Sequence, residues 1–340
     1  MADVLSIGLI GAGRIGTSHA QIVAERVPTA RLAAVADPRP EAADALAGRF
    51  GARAFIDPAD LINDPEVDAV LIAASSDAHA DLIVAAATAG KAVFCEKPMS
   101  MTLAAADRAL AAVERAGVVL QVGFNRRFDK GFRAAHDAVA SGAVGSVQLM
   151  RSLTRDPGLV NPGAVPPWTI FTQTLIHDFD TLLWLNPGAE PVEVYATADA
   201  LVAPDFKASG LLDTAVVVIT FDNGARAVAE ASFSAAYGYD VRAEVFGSAG
   251  MVTAGDGARS SALLYTATGA QYDTARGDVE LLLDAYTGEF VEFAAAVAEN
   301  RSAYATGHDA RRALAVALAC IESVQSHAPV RIGGGQVVAG

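Results

Sequence analysis

Val4-Leu5-Ser6-Ile7-Gly8-Leu9-Ile10-Gly11-Ala12-Gly13-Arg14-Ile15-Gly16 decides the fold. Val4 to Ile10 is a short apolar run, and Arg14 to Arg26 reads as a helix that stops before Pro28. Between them, Gly11, Gly13 and Gly16 match the glycine spacing of dinucleotide loops, where that spacing has physical meaning. The glycines permit a tight turn, close approach of backbone to a pyrophosphate, and close packing of strand on helix, while the helix start offers free N–H groups. Such a match alone is weak. Asp37 follows Gly16 by 21 residues, at the end of a second predicted strand, where a carboxylate accepts hydrogen bonds from ribose hydroxyls. The conjunction predicts a Rossmann-type domain that prefers NAD to NADP, because Asp37 repels a 2'-phosphate. Arg39, two residues on, would partly offset that repulsion, although an arginine there is more often a solvated helix-start charge.

Outward from this loop, strand and helix signals alternate: Arg31 to Ala36, Arg39 to Phe50, Ala52 to Phe55, Val67 to Ala73, Ala78 to Ala89, Lys91 to Cys95, Thr102 to Ala116 and Val118 to Phe124. Such alternation implies a parallel sheet covered by helices, here an NAD-binding α/β domain over residues 1–125. Beyond Phe128 the pattern changes. A helix (Lys130 to Ser141) leads to a strand (Ser146 to Thr154), and strand-like runs continue from Pro191 to about Thr268. Asp222-Asn223-Gly224 makes a turn between Val216 to Phe221 and Ala225 to Phe233. Two helices, Val279 to Glu299 and His308 to Ser326, precede a strand at Val330 to Ile332. The expectation for residues 126–340 is an α+β domain with an open, mainly antiparallel sheet, serving substrate binding and oligomerisation. The loop from Asp156 to Pro167, with four prolines and two glycines, is long enough to lie over a site.

Composition narrows the partners. The formal net charge of -14 disfavours nucleic acid and anionic membrane, which need a basic footprint, and points to a small molecule. No run of about 18 apolar residues occurs, and the N-terminus enters a strand without a basic region or cleavage site, so a cytoplasmic protein is expected. Cys95 and Cys320, far apart in apolar segments, read as buried reduced thiols. No spacing suggests a metal site. Of the 25 basic residues only Lys91, Lys97, Lys130 and Lys207 are lysines. In a chain that otherwise uses arginine, each lysine is a candidate for proton chemistry.

Lys97 is the best placed of them. Glu96-Lys97-Pro98 stands at the carboxyl end of a predicted parallel strand, where such sheets bind ligands. A second cluster, Gln173-Thr174-Leu175-Ile176-His177-Asp178-Phe179-Asp180, sits on a helix running to about Leu185. Leu175, Phe179 and Leu182 form its apolar stripe, and Gln173, His177 and Asp180 fall on another face. A histidine on a helix is by itself more often structural than catalytic.

Together these residues carry a resemblance. Gly11 to Gly16, Ala36-Asp37, Glu96-Lys97-Pro98, Gly123-Phe124-Asn125-Arg126-Arg127-Phe128-Asp129 and His177-Asp178-Phe179-Asp180 resemble the glucose-fructose oxidoreductase and inositol dehydrogenase (Gfo/Idh/MocA) family, closest to its inositol 2-dehydrogenase branch. The resemblance implies a Rossmann domain and an open sheet whose outer face mediates homodimers or homotetramers, with substrate between the domains. It implies that Lys97 and His177 act on the hydroxyl being oxidised, where many relatives add an Asp four residues before the His; Gln173 stands there instead. It also places Gly11, Gly13, Arg14, Ile15, Gly16, Asp37, Arg39, Ser75, Ser76, His79, Glu96, Lys97 and Asn125 at the cofactor. The substrate side would comprise Asn125, Asp156, Trp168, Gln173 and Tyr237. The expected activity is NAD-dependent hydride transfer with a secondary alcohol of a cyclitol or sugar. The alternatives are a reductase of a ketone, imine or enamine on the same scaffold, and a catalytically silent NAD-sensing protein.

Overall fold

The computed structural model describes residues 4–333 and 336–338. The chain divides into two compact units, one of Met1–Phe128 with Asp284–Arg311, the other of Asp129–Leu283 with Arg312–Gly340. The division differs from the expected boundary at 125/126 because Asp284–Arg311 returns to the first unit. There Phe290 and Phe293 pack on Phe94, with ring centroids 4.7 and 5.8 Å apart. Sequence order gave no sign of that return.

The first unit begins with β1 (Leu5–Ile10), α1 (Arg14–Arg26), β2 (Ala30–Ala36), α2 (Pro40–Phe50) and β3 (Arg53–Phe55). It continues through α3 (Pro58–Ile62), β4 (Ala69–Ile72), α4 (His79–Thr88), β5 (Ala92–Cys95), α5 (Leu103–Ala116) and β6 (Leu120–Val122). The strands form one parallel sheet in the order β3-β2-β1-β4-β5-β6. The order reverses between β1 and β4, and the carboxyl ends of strands at such a reversal form a ligand crevice. β4 and β5 are buried along their whole length, as strands covered on both faces must be. α3 was not anticipated. It is one short turn, started by Asp57 accepting from the Ala59 N–H and by Pro58 at its first position.

The second unit contains α6 (Lys130–Ala140), β7 (Val147–Arg155), α7 (Leu175–Trp184), β8 (Pro191–Asp199), β9 (Thr214–Phe221), β10 (Arg226–Ser232), β11 (Asp240–Gly247) and β12 (Met251–Ala254). A small hairpin, β13 (Leu264–Thr266) and β14 (Gly269–Gln271), follows. α8 (Asp278–Ala298) and α9 (Gly307–Ser326) each divide between the units, and β15 (Val330–Gly333) and β16 (Gln336–Val338) end the described chain. The large sheet runs β12-β11-β7-β10-β9-β8-β15-β16, antiparallel throughout except for the parallel pair β7 and β10. Alternation along β9 puts Ala215, Val217, Ile219 and Phe221 inside and leaves Val216 and Val218 exposed.

α7 lies against β7 and β10, anchored by one buried carboxylate. Asp178 accepts from Ser152 Oγ at 2.5 Å and from Thr154 Oγ1 at 2.6 Å, two hydroxyls on the inner face of β7. Replacing Asp178 with alanine removes the buried acceptor of both hydroxyl hydrogen bonds. We expect Asp178→Ala to lose about 2–4 kcal/mol of unfolding free energy by urea denaturation. A loss below about 0.5 kcal/mol would mean the anchor is dispensable.

Candidate active site

The glycine turn works by the absence of side chains. A β-carbon on Gly16 would stand 1.9 Å from the Gly11 carbonyl oxygen, and one on Gly11, whose φ is +102°, would meet Ala73 backbone at 2.5 Å. These two glycines close the turn and pack helix on strand. Gly13 differs, because a β-carbon there would meet nothing within 4 Å. It faces open space at the start of α1, which has no side-chain cap and no acidic residue in its first turn. The helix N-terminus is therefore available to an anion. Gly11, Gly13, Arg14 and Ile15 line a groove of about 370 Å³ together with Asp37, Arg39 and the Ala73 to Ser75 segment. The unfilled cradle at Gly13 and the open helix start fit a dinucleotide pyrophosphate.

Asp37 closes one end of the groove. It is buried, and its Oδ2 accepts from the Ala12 N–H at 2.8 Å. Arg39 donates to it from backbone N (3.0 Å), Nε (3.0 Å) and Nη2 (3.2 Å). Burial by itself raises this carboxyl, but the Arg39 side chain and the Arg39 and Ala12 N–H groups overcome that and hold it below its ordinary value. Arg39 is thus a partner of Asp37 as well as a solvated charge, and its exposed guanidinium offsets part of the negative field at this end of the groove.

Lys97 is half-buried just past the end of β5, and the Lys97-Pro98 bond is cis. Beneath it, the Glu96 carboxylate accepts from the Lys97 N–H at 3.1 Å and from His19 Nε2 at 2.6 Å. Burial pushes Glu96 up; the hydrogen bond and charge of His19, with the charges of Lys97 and His79, more than reverse this and keep it below the usual carboxylate range. Room for the carboxyl exists because residue 123 is glycine, where a β-carbon would stand 3.2 Å from it. His79 is buried, with Nδ1 2.8 Å from the Pro98 carbonyl and Nε2 3.1 Å from the Ala74 carbonyl. It ties the segment after Lys97 to the groove wall. Ser75 is exposed at the groove, Ser76 starts the short turn before α4, and Asn125 is buried after β6.

In the second unit, Ile170–Thr174 is a turn of π-helix leading into α7. Across Ile170–Trp184 only Gln173 and His177 are not buried. Asp180, expected beside them, is buried instead. Trp168 holds a left-handed backbone (φ 62°), and its carbonyl accepts from the Phe171 and Thr172 N–H groups. A non-glycine residue in that region is strained, a feature that clusters at functional sites. Asp156 follows β7 directly, its N–H donating to the Ser232 carbonyl and its carbonyl accepting from Ala235. The Tyr237 hydroxyl donates to Asp240 Oδ2 at 2.7 Å and accepts from Arg155 at 3.2 Å, so it belongs to an ion-pair network.

Sequence reasoning missed His19, Gln121 and Glu289. Each is a polar residue set on an otherwise apolar stripe, which is the signal that marks them. Asn125 to Asp129, counted among the family's motifs, is partly structural: Arg127 donates to Asp309 at 3.2 Å, and Asp129 caps α6 by accepting from Gly131 and Phe132. Both cysteines are free and buried, and no group of metal-ligating residues was found among the described residues.

A parallel sheet with this crevice, glycine turn and acidic ribose end defines a dinucleotide-dependent oxidoreductase. Residues 5–124 match the oxidoreductase family with the NAD-binding Rossmann fold, and 132–253 match the GFO/IDH/MocA C-terminal domain. The chain belongs to this family, and its cofactor is NAD. It is 37% identical to the myo-inositol 2-dehydrogenase of Thermotoga maritima, over 96% of this chain and 98% of that one. It is 33% identical to the scyllo-inositol 2-dehydrogenase (NAD(+)) of Bacillus subtilis, over 98% and 97%. The crystal structure of the Lactobacillus casei scyllo-inositol dehydrogenase with NAD(H) and scyllo-inositol superposes with a TM-score of 0.92 at 27% identity, covering 97% of this chain and 99% of that one.

The glycines separate fold from binding. Gly13→Ala is expected to fold with an unchanged Tm, yet to bind NAD about tenfold more weakly or worse by calorimetry, since its methyl group enters the cradle. Gly16→Ala should instead lower Tm, because backbone must move. Equal NAD affinity in Gly13→Ala and wild type would remove this groove as the pyrophosphate site.

Proposed function

We propose that the chain is an NAD-dependent cyclitol dehydrogenase, oxidising a secondary alcohol of an inositol-like ring. The single observation that carries this reading is the placement of Lys97 at the carboxyl end of β5, tied through His79 to the wall of the dinucleotide groove. The inositol substrates named for several relatives supply the substrate class. NAD, when bound, supplies the acceptor for the hydride. Lys97, as an ammonium, stabilises charge developing on the substrate oxygen, and His177 takes the hydroxyl proton. Gln173 hydrogen-bonds a ring hydroxyl without contributing charge. Asn125, Asp156, Trp168 and Tyr237 are assigned to the substrate side, and Ser75, Ser76, His79 and Glu96 to shaping the nicotinamide end. The setting in this reading is the cytoplasm. No described helix is long and apolar enough to cross a membrane.

The test is NADH formation across a panel of cyclitols and sugars. We expect turnover with at least one inositol isomer, and a loss of about a hundredfold or more in Lys97→Met with NADH binding intact, the usual scale for a positioned acid or base. Lys97→Met turnover near wild type would return the lysine to a surface role. Silence across the panel with NAD bound would leave a sensor, and activity only in the reductive direction would leave a reductase.

The same reading includes a homodimer or homotetramer formed through the outer face of the large sheet. Leu149, Phe246 and Met251 lie there on adjacent strands, as do Tyr195 and Val218, all exposed in the single chain. Contiguous apolar residues on an open sheet face call for a partner. Val218→Asp is expected to shift the sedimenting species toward monomer. If wild type already sediments as a monomer at micromolar concentration, this face does not assemble the protein.

A further inference from the structure

Asp213, just before β9, is a fully buried carboxylate engaged by one loop. Its Oδ1 accepts from the Leu201 N–H at 2.9 Å and the Thr214 hydroxyl at 3.0 Å. Its Oδ2 accepts from the Val202 and Ala203 N–H groups at 2.9 and 2.8 Å. Three successive N–H groups converging on one side chain fix the start of the loop that joins β8 to β9. From there a short 3-10 helix, Pro204–Ser209, runs to Gly210, and Lys207 pairs with Asp199 at the end of β8 at 2.7 Å. Gly210 has a φ of +81°, and its N–H donates to the Lys207 carbonyl at 3.0 Å. Its own carbonyl accepts from the Trp168 N–H at 3.2 Å, and a β-carbon on it would stand 3.0 Å from Pro167 Cβ. Phe206 makes a further contact, its Cε1 3.4 Å from where a β-carbon on Gly163 would be. The loop after β8 therefore lies against the proline-rich loop before α7, and its last glycine holds the tryptophan with the left-handed backbone.

Trp168 adopts its φ of 62° without the freedom of glycine, and a bulky residue stays in that region only where its surroundings hold it. The Gly210 carbonyl is one such hold. On the other side, the Trp168 carbonyl accepts from the Phe171 N–H at 3.0 Å, the Thr172 N–H at 3.1 Å and the Thr172 hydroxyl at 3.2 Å. The same residue thus opens the π-turn that carries Gln173. We propose that Asp213 and Gly210 are positioning residues for the substrate side. Asp213 pins the loop, the Gly210 carbonyl holds Trp168 in its strained conformation, and that conformation sets the π-turn on which Gln173 stands. The proposal rests on the reading of Trp168 and Gln173 as substrate-side groups; neither Asp213 nor Gly210 touches the substrate itself. Glycine at 168 would reach the same φ without strain but would present no ring, so the loop supplies the restraint that lets a tryptophan stand there. A fault in the loop weakens the grip on the ring hydroxyls, because directed hydrogen bonds do not survive displacement, and leaves the dinucleotide groove of the other unit as it was.

Hydrogen exchange and steady-state kinetics on the full chain test this. Gly210→Ala puts a methyl group 3.0 Å from Pro167 Cβ and forces alanine into the left-handed region, so the loop must shift off Trp168. The Trp168, Phe171 and Thr172 amides are then expected to exchange about tenfold faster or more, read by mass spectrometry on peptides covering 166–174, while the amides of β7 and β10 keep their rates. Asp213→Asn, which keeps the size but turns an amide donor toward backbone N–H groups, is the second variant and should give the same local acceleration. With an inositol as substrate, Gly210→Ala should raise KM about tenfold with kcat changed less than about threefold, the pattern of lost substrate binding. Its affinity for NAD by calorimetry should equal that of wild type. Unaltered exchange at 168–172 in both variants overturns the proposal. So does acceleration of β7 and β10 by the same factor, which marks general loosening. Local acceleration with KM unchanged, in a chain that oxidises inositol, overturns it as well. If no cyclitol is oxidised, the exchange rates still decide whether the loop holds Trp168, while the functional reading alone fails.

Discussion

The fold depends on a missing atom. With 1.9 Å between a hypothetical Gly16 β-carbon and the Gly11 carbonyl oxygen, no other residue lets α1 start where it does without moving the chain. That close approach aims the first turn of α1 at the groove and fixes the path of the helix beneath it. His19 is carried one turn further along the same helix, to the point where Nε2 meets Glu96. The glycine turn and the carboxylate under Lys97 are thus linked by six residues of α1 and one hydrogen bond.

Burial sets the electrostatics of this unit. Glu96 and Glu289 occupy the same apolar surroundings, yet one is held low and the other high, because only Glu96 has hydrogen-bond donors. Burial raises both carboxyls, and the distribution of hydrogen-bond donors decides which of them is brought back down. His19 and the Lys97 N–H make that choice for Glu96. Gly123 makes it sterically possible, since any side chain there would crowd the carboxyl.

Much of the first unit was legible because its signals are local. Gly11 to Gly16, the strand before them and Asp37 lie within one stretch of chain, and α1 begins and ends at Arg14 and Arg26 as its punctuation indicates. Residues whose partners are distant in sequence were not legible. Glu289 lies 168 residues from Gln121, and Arg127 lies 182 from Asp309. Asp178 reads as half of a His-Asp motif, while its carboxylate in fact binds two hydroxyls of β7. Periodicity also misplaced Asp180: three residues after His177 it reads as part of the same polar face, but α7 is buried at every position except His177.

That wide turn bears on how Gln173 stands relative to His177. A π-turn advances the helix face more slowly than an α-turn, so the residue four before His177 is not stacked directly above it. Both nevertheless stay partly exposed, while every other position from Ile170 to Trp184 is buried. An aspartate at 173 would add a third acidic group to a segment that already carries Asp178 and Asp180. The amide keeps hydrogen-bonding capacity at that spot without another desolvated charge. It cannot raise the proton affinity of His177 as a carboxylate does.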